Sequence, residues 1–186
     1  RPPSVALAPN GDIYVSDGYG NSRVHKFSAD GRLLLSWGEP GNGPGQFSIV
    51  HTVCTDKNGT VYVADRENDR IQVFDPNGKF VTQWTDLNRP NGLFMGFDGN
   101  FYVTELARSA TGGNLFIPPR VSIWTTEGKL LGRWGEDDIA TPGNFWAPHG
   151  IWGDRNGDLY IGELGVATHR GDLPPGYPFV HKLVRM

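Results

Sequence analysis

One short phrase is written four times along this chain: GDIYVSD ending at Asp17, GTVYVAD at Asp65, GNFYVTE at Glu105 and GDLYIGE at Glu163. The tyrosines of the four copies, Tyr14, Tyr62, Tyr102 and Tyr160, lie 40 to 58 residues apart. Each copy follows a turn signal, PNGD, KNGT, FDGN or RNGD. Asn-Gly and Asp-Gly are hairpin pairs because both central residues tolerate positive φ. A second turn recurs as ADGR, PNGK and TEGK, and the segment after it ends in Trp37, Trp84 or Trp134. Each repeat therefore reads as four short antiparallel strands, placed in the first copy at residues 4–8, 13–16, 23–27 and 32–37. No segment has helical periodicity. Four-stranded units at this period are the blades of a β-propeller. A flat β-sandwich is the alternative, but it would not demand near-identical turns at a fixed phase.

The repeats cover about residues 1–38, 47–84, 88–134 and 145–186, so residues 1–186 form a single all-β propeller segment. The fourth repeat stops in its third strand. Propellers close by pairing a strand from one terminus into the blade at the other, which removes exposed edges. The expectation is a longer chain, a six-bladed ring whose N-terminal blades precede these four.

Composition narrows the partners. A net charge of −3 gives no basic footprint, which argues against nucleic acid. No apolar run reaches membrane-spanning length, and no charged-then-apolar leader opens the sequence, which argues against a membrane; the compartment stays open. With Cys54 the only cysteine, a metal site would rest on histidines and carboxylates.

The acid closing each phrase has an architectural reading. Asp17 with Arg23, Asp65 with Arg70 and Glu105 with Arg120 would tie the ends of a loop inside one blade. A more specific pattern lies eleven residues before each repeat tyrosine, where the chain has Pro3, His51, Asn91 and His149. Histidine occupies alternate blades at the start of the innermost strand. In a six-bladed ring this would aim three imidazoles at one axis, the donor set of a catalytic zinc with an open fourth position. The third would lie two blades before His51. Against this stands the plainer reading that His51 and His149 are satisfied core residues. His25, His169 and His181 show no phase relation and are expected on the surface or in loops.

Because neighbouring strands are antiparallel, the loops after the four acids lie at the same rim as the strand starts. These loops do not repeat. The first presents Tyr19 and the second Arg66, while residues 106–119 and 164–179 are long inserts suited to walling a pocket. Loops on a rigid scaffold are where function concentrates. Facing a metal, Tyr19 would serve as a base and Arg66 as an anion clamp.

At these residues the sequence resembles the NHL-repeat propellers, and among them the peptidyl-α-hydroxyglycine α-amidating lyases. The stretches VSDGYGNSRV, LLSWGEPGNGPGQFSIVH and VADRENDRIQVF are similar to that family's motifs in the same order, and APHGIWGDRNGDLYIGE to its last histidine-bearing repeat. The resemblance implies a six-bladed propeller whose zinc is held by three histidines. It implies cleavage of a carbinolamide into a peptide amide and glyoxylate, with a peptide or small molecule as the substrate. By motif, His51 and His149 match zinc ligands, Tyr19 the tyrosine that serves as base, and Arg66 an active-site arginine. Three positions depart from the family. Gly150 stands where an aspartate helps hold calcium, so zinc is implied more strongly than calcium. Ala147 replaces a methionine near the substrate, and Gly20 a cysteine of a disulfide. Two rivals share the scaffold: a metal-dependent hydrolase such as a lactonase, and a non-catalytic NHL module whose rim binds a protein partner.

Overall fold

A computed structural model of the chain describes residues 1–109, 116–167, 171–172 and 175–185. They form two compact units, Arg1–Pro90 and Asn91–Met186, and each holds two propeller blades. The one helical element among the described residues is the 3-10 turn Arg66–Asn68.

In the first unit, blade one is Ser4–Leu7, Ile13–Asp17, Arg23–Phe27 and Leu33–Trp37, hydrogen-bonded in that order. Blade two is Val50–Thr55, Val61–Asp65, Arg70–Phe74 and Phe80–Trp84. In the second unit, blade three is Pro90–Met95, Phe101–Glu105, Arg120–Trp124 and Leu130–Trp134. Blade four has three strands, Pro148–Gly153, Leu159–Glu163 and Val180–Leu183. Adjacent strands within each blade are antiparallel. The long inserts begin as two-residue ladders, Arg108–Ser109 with Phe116–Ile117 and Val166–Ala167 with Gly171–Asp172. His169 lies outside the described residues.

The repeated turns differ in one respect from the expected pairing of two positive-φ residues. Only the glycine of each pair is left-handed, with φ of 88° at Gly11, 82° at Gly59, 82° at Gly99 and 89° at Gly157. In the first turn the Gly11 N–H donates to the Ala8 carbonyl at 2.9 Å and the Ala8 N–H to the Asp12 carbonyl at 2.8 Å. This is the three-residue hairpin, a type I turn closed by a left-handed glycine. The asparagine is favoured there for its side chain: Asn10 Oδ1 accepts from the Asp12 N–H at 3.1 Å.

The core of the first unit lies between its two blades. Tyr14, Val24, Phe47, Val50, Val53, Val61, Val63 and Phe74 are buried together, with Trp37 and Phe80 packed against them. The tryptophan that ends the fourth strand of blade one reaches the next blade, its ring centroid 5.6 Å from that of Phe74. Tyr14 keeps its hydroxyl satisfied by donating to the Pro76 carbonyl at 3.1 Å. Each such side chain contributes about 1.5–3 kcal/mol by leaving water. In the second unit, Val121, Phe145 and Ile161 gather Trp134, Ile151 and Leu183 around them.

The repeated acids bind the blades as the sequence implies, with one correction. Asp65, fully buried, accepts from Arg70 Nε at 2.8 Å, Asn68 Nδ2 at 2.8 Å, Gln72 Nε2 at 3.2 Å and the Ser48 N–H at 2.7 Å. Burial pushes its pKa up despite these donors. Glu105 pairs with Arg120 at 2.8 Å. Asp17 does not take Arg23, which is exposed; its carboxylate accepts instead from Asn21 Nδ2 at 2.6 Å and the N-terminal ammonium at 2.9 Å, with His25 Nε2 at 3.4 Å. Hydrogen bonding, from Asn21 foremost, holds Asp17 below the usual carboxylate range.

His25 and His181 are therefore not loose surface residues. His25 faces Val15, two residues before Asp17, and His181 faces Ile161, two before Glu163. Gln72 and Ser122 hold the same register place in blades two and three. All four touch the acid of their own blade, with Ser122 Oγ 2.5 Å from Glu105 and His181 Nε2 3.0 Å from Glu163. Glu163 also accepts the Ala147 N–H at 2.6 Å, and burial raises its pKa. In blades two and four the acid thus grips the backbone just before the first strand, the segment that carries the histidine.

Candidate functional site

Three of the four site residues singled out by the sequence meet in the first unit. Tyr19 follows Asp17 on the unrepeated loop of blade one and is 42% exposed. Arg66 opens the 3-10 turn directly after Asp65. His51 is the second residue of the first strand of blade two and is buried, 3% exposed. The Tyr19 and His51 rings stand edge to face with centroids 5.9 Å apart. Arg66 Nη1 donates to the Tyr19 hydroxyl at 2.8 Å, and its guanidinium carbon lies 5.4 Å from the Tyr19 ring centre. An edge-on aromatic pair and a cation beside a ring each favour this arrangement.

The approach of the two blades depends on Gly18. A Cβ on this residue would stand 2.0 Å from the Val50 carbonyl oxygen, so only glycine lets the Tyr19 loop lie beside the backbone that leads into His51. The Arg66 turn clamps the same backbone from its own blade. The Arg66 N–H donates to the Ile49 carbonyl at 3.1 Å and the Glu67 N–H to the Ser48 carbonyl at 2.9 Å. Ile49 between them has φ of 66°, a left-handed conformation that costs a β-branched residue free energy. The turn's hydrogen bonds hold it there.

Two residues that sequence reasoning missed complete the cluster. Arg66 Nε donates to Glu67 Oε1 at 2.8 Å, and Glu67 also pairs with Arg89 Nη2 at 2.8 Å. Burial works against ionisation of Glu67, but the hydrogen bonds from Arg89 and Arg66 outweigh it and lower its pKa. Arg89 reaches Glu67 because its backbone is left-handed, φ 43°, with its N–H donating to Asp69 Oδ1 at 2.8 Å. The result is an ordered line of charges, Arg89–Glu67–Arg66, ending on the Tyr19 oxygen.

His149 is the second residue of the first strand of blade four, in the second unit, and is partly buried. Its carbonyl accepts from Thr104 Oγ1 at 2.9 Å. Asn91, the counterpart of the histidines in blade three, is buried and its Nδ2 donates to the Pro148 carbonyl at 3.0 Å. Among the described residues no group of three or more His, Cys, Asp or Glu is placed to hold a metal ion. His51 belongs to the first unit and His149 to the second. No helix among the described residues is long and apolar enough to cross a membrane.

Comparison with known proteins gives the same repeat. The NHL repeat model matches residues 1–27 and 47–74. Human NHL repeat-containing protein 3 is 32% identical over 184 residues, covering 94% of this chain and 50% of that protein. Mouse peptidyl-glycine alpha-amidating monooxygenase is 44% identical over 178 residues, 90% of this chain and 18% of that protein. A probable peptidyl-alpha-hydroxyglycine alpha-amidating lyase of Caenorhabditis elegans is 38% identical over 102 residues, 48% of this chain and 29% of that protein. The chain thus spans half the length, or less, of these curated relatives. Among solved structures, virginiamycin B lyase from Staphylococcus aureus superposes with a TM-score of 0.66 at 18% identity, covering 99% of this chain and 55% of that one. That likeness concerns the fold alone. The chain contains NHL repeats and is similar in sequence both to the peptidylglycine-amidating enzymes and to NHL repeat-containing protein 3.

Proposed function

We propose that this chain carries part of the active site of a lyase that cleaves the C–N bond of an α-hydroxyglycine-type carbinolamide, releasing an amide and glyoxylate. The observation that carries the reading is that Tyr19 and Arg66, on the loops where the repeats stop agreeing, meet each other and the strand residue His51. Relatives named for amidation support the substrate class.

The residues divide the work by their chemistry. Acting as the phenolate, the Tyr19 oxygen, fixed by a guanidinium N–H at 2.8 Å, accepts the proton of the substrate hydroxyl. The electron pair left on that oxygen forms the aldehyde carbonyl as the C–N bond breaks, and the proton passes to the departing nitrogen. Arg66 keeps further N–H donors to grip the carboxylate of the substrate, a planar fork suited to that group. His51 is proposed as a zinc ligand, and so, in the other unit, is His149; a zinc ion when bound would act as a Lewis acid on the hydroxyl.

The test is product analysis with the intact protein and an α-hydroxyglycine peptide. Glyoxylate and peptide amide in equal amounts are expected, and Tyr19→Phe should lower kcat by roughly 10²–10⁴-fold. Full activity of that variant would remove Tyr19 as base. The match to NHL repeat-containing protein 3 over 94% of the chain supports a second reading, a rim that binds a protein partner without catalysis. Absence of glyoxylate from zinc-loaded protein would favour it.

A further inference from the structure

The register of both histidine-bearing strands slips at the histidine. Val50 faces Asp65 and Thr52 faces Ala64, so His51 is the extra residue of a β-bulge. Pro148 faces Glu163 and Gly150 faces Gly162, which makes His149 the extra residue in blade four. The first strand of blade one runs in unbroken register from Ser4 opposite Ser16 to Leu7 opposite Ile13. A bulge bends its strand and re-aims a side chain, and bulges gather next to active sites.

At each bulge a hydroxyl from the preceding blade meets the histidine's carbonyl. Ser16 Oγ lies 3.1 Å from the His51 carbonyl oxygen, and Thr104 Oγ1 lies 2.9 Å from that of His149. Both side chains are fully buried. They stand immediately before Asp17 and Glu105, at a place where blade two has Ala64 and blade four has Gly162. Packing asks only for a small residue there, since alanine and glycine serve. The hydroxyl appears one blade ahead of each histidine and nowhere else in the four repeats.

The remaining contacts tighten the same place. Ser16 Oγ also lies 3.2 Å from the Ser4 carbonyl, so one proton is shared between two acceptors. Thr104 Oγ1 accepts the Gly92 N–H at 2.9 Å and lies 2.7 Å from Asn91 Oδ1. Since Asn91 Nδ2 donates to the Pro148 carbonyl, blade three holds two successive carbonyls, those of Pro148 and His149.

We propose that Ser16 and Thr104 are positioning residues, whose buried hydroxyls pin the bulged backbone of His51 and His149 and thereby set the direction of the two imidazoles. The consequence for metal binding rests on the zinc-ligand reading above, whereas the consequence for imidazole orientation does not. The test follows the imidazole ring signals of the intact protein by NMR in Ser16→Ala, Ser16→Thr, Thr104→Ala and Thr104→Ser, with zinc affinity measured by chelator competition. Ser16→Ala should move the His51 signals and leave those of His181 in place, and Ser16→Thr should restore them. The same pairing is expected between Thr104 and His149. Zinc affinity should fall about 10–100-fold in the alanine variants, the usual loss when a group supporting a ligand is removed. Unmoved imidazole signals in the alanine variants would overturn the proposal, as would a failure of the hydroxyl-keeping variants to restore them. If Ser16→Ala does not fold, Ser16→Cys keeps nearly the same size with a weaker donor, and wild-type His51 signals in it would refute the role. If His51→Ala leaves zinc affinity unchanged, the zinc reading falls, and the ring signals alone decide the positioning role.

Discussion

Replacing Asp65 with alanine tests the central structural claim, that the repeated acid is an internal tie. The carboxylate is fully buried and receives four donors, from Arg70, Asn68, Gln72 and the Ser48 backbone. Its loss leaves the Arg70 guanidinium in the interior without its counter-charge. Breaking a buried pair from one side costs about 3–5 kcal/mol. Arg70 retains the carbonyls of Asn42, Gly43 and Gln46 and the Gln83 side chain, which favours the lower part of that range. For a domain of this size about 3–5 kcal/mol corresponds to a fall in Tm of about 6–20 °C. Calorimetric or circular-dichroism melting measures it. Arg70→Met added to Asp65→Ala should recover part of the loss, because no buried charge then remains. A single Asp65→Ala variant melting within about 2 °C of wild type would refute the tie, since that is at most about 1 kcal/mol.

Three further outcomes are expected. Arg66→Lys keeps the charge but not the planar fork, so steady-state kinetics should show a raised KM with a smaller change in kcat if Arg66 grips a carboxylate. Glu67 has a lowered pKa in the folded chain, so its stabilising contribution is present above its unfolded value of about 4.3 and is lost as the pH falls through the folded one; Glu67→Gln should flatten that acid limb of the melting curve. Gly18→Ala places a methyl where the Val50 carbonyl oxygen is 2.0 Å away, and overpacking of about 1–3 kcal/mol or more should appear in urea denaturation together with a disturbed His51 ring signal.

Strands and turns were legible because each is a local matter. Alternation of apolar residues, a glycine two or three residues later and an acid at the strand end all lie within one short window. The acid–arginine ties at Asp65 and Glu105 were legible too, since the paired residues face each other across adjacent strands. What failed was phase. Counted from the repeat tyrosine, His25 and His181 look scattered, because loops of different length intervene. Counted back from the second turn, His25, Gln72 and Ser122 each stand six residues before Gly31, Gly78 and Gly128, and their common role becomes visible. At the site, Tyr19, Arg66 and His51 were found by the places where copies disagree. Glu67 with Arg89 was not, because that pair depends on the left-handed backbone of Arg89, which nothing in its residue type announces. The bulges at His51 and His149 are likewise a property of paired strands and not of either strand alone.

The contact between a hydroxyl in one blade and a histidine carbonyl in the next gives the sequence a parity. Blades one and three carry the donor, blades two and four the receiver, and the chain divides between Pro90 and Asn91 so that each unit holds one of both. The smallest piece that can be duplicated without breaking this match is a couplet of repeats. Inserting or deleting a single repeat would set donor against donor or receiver against receiver at that junction. A chain that grew or is re-engineered by copying would therefore keep this alternation unbroken only when repeats are added in twos.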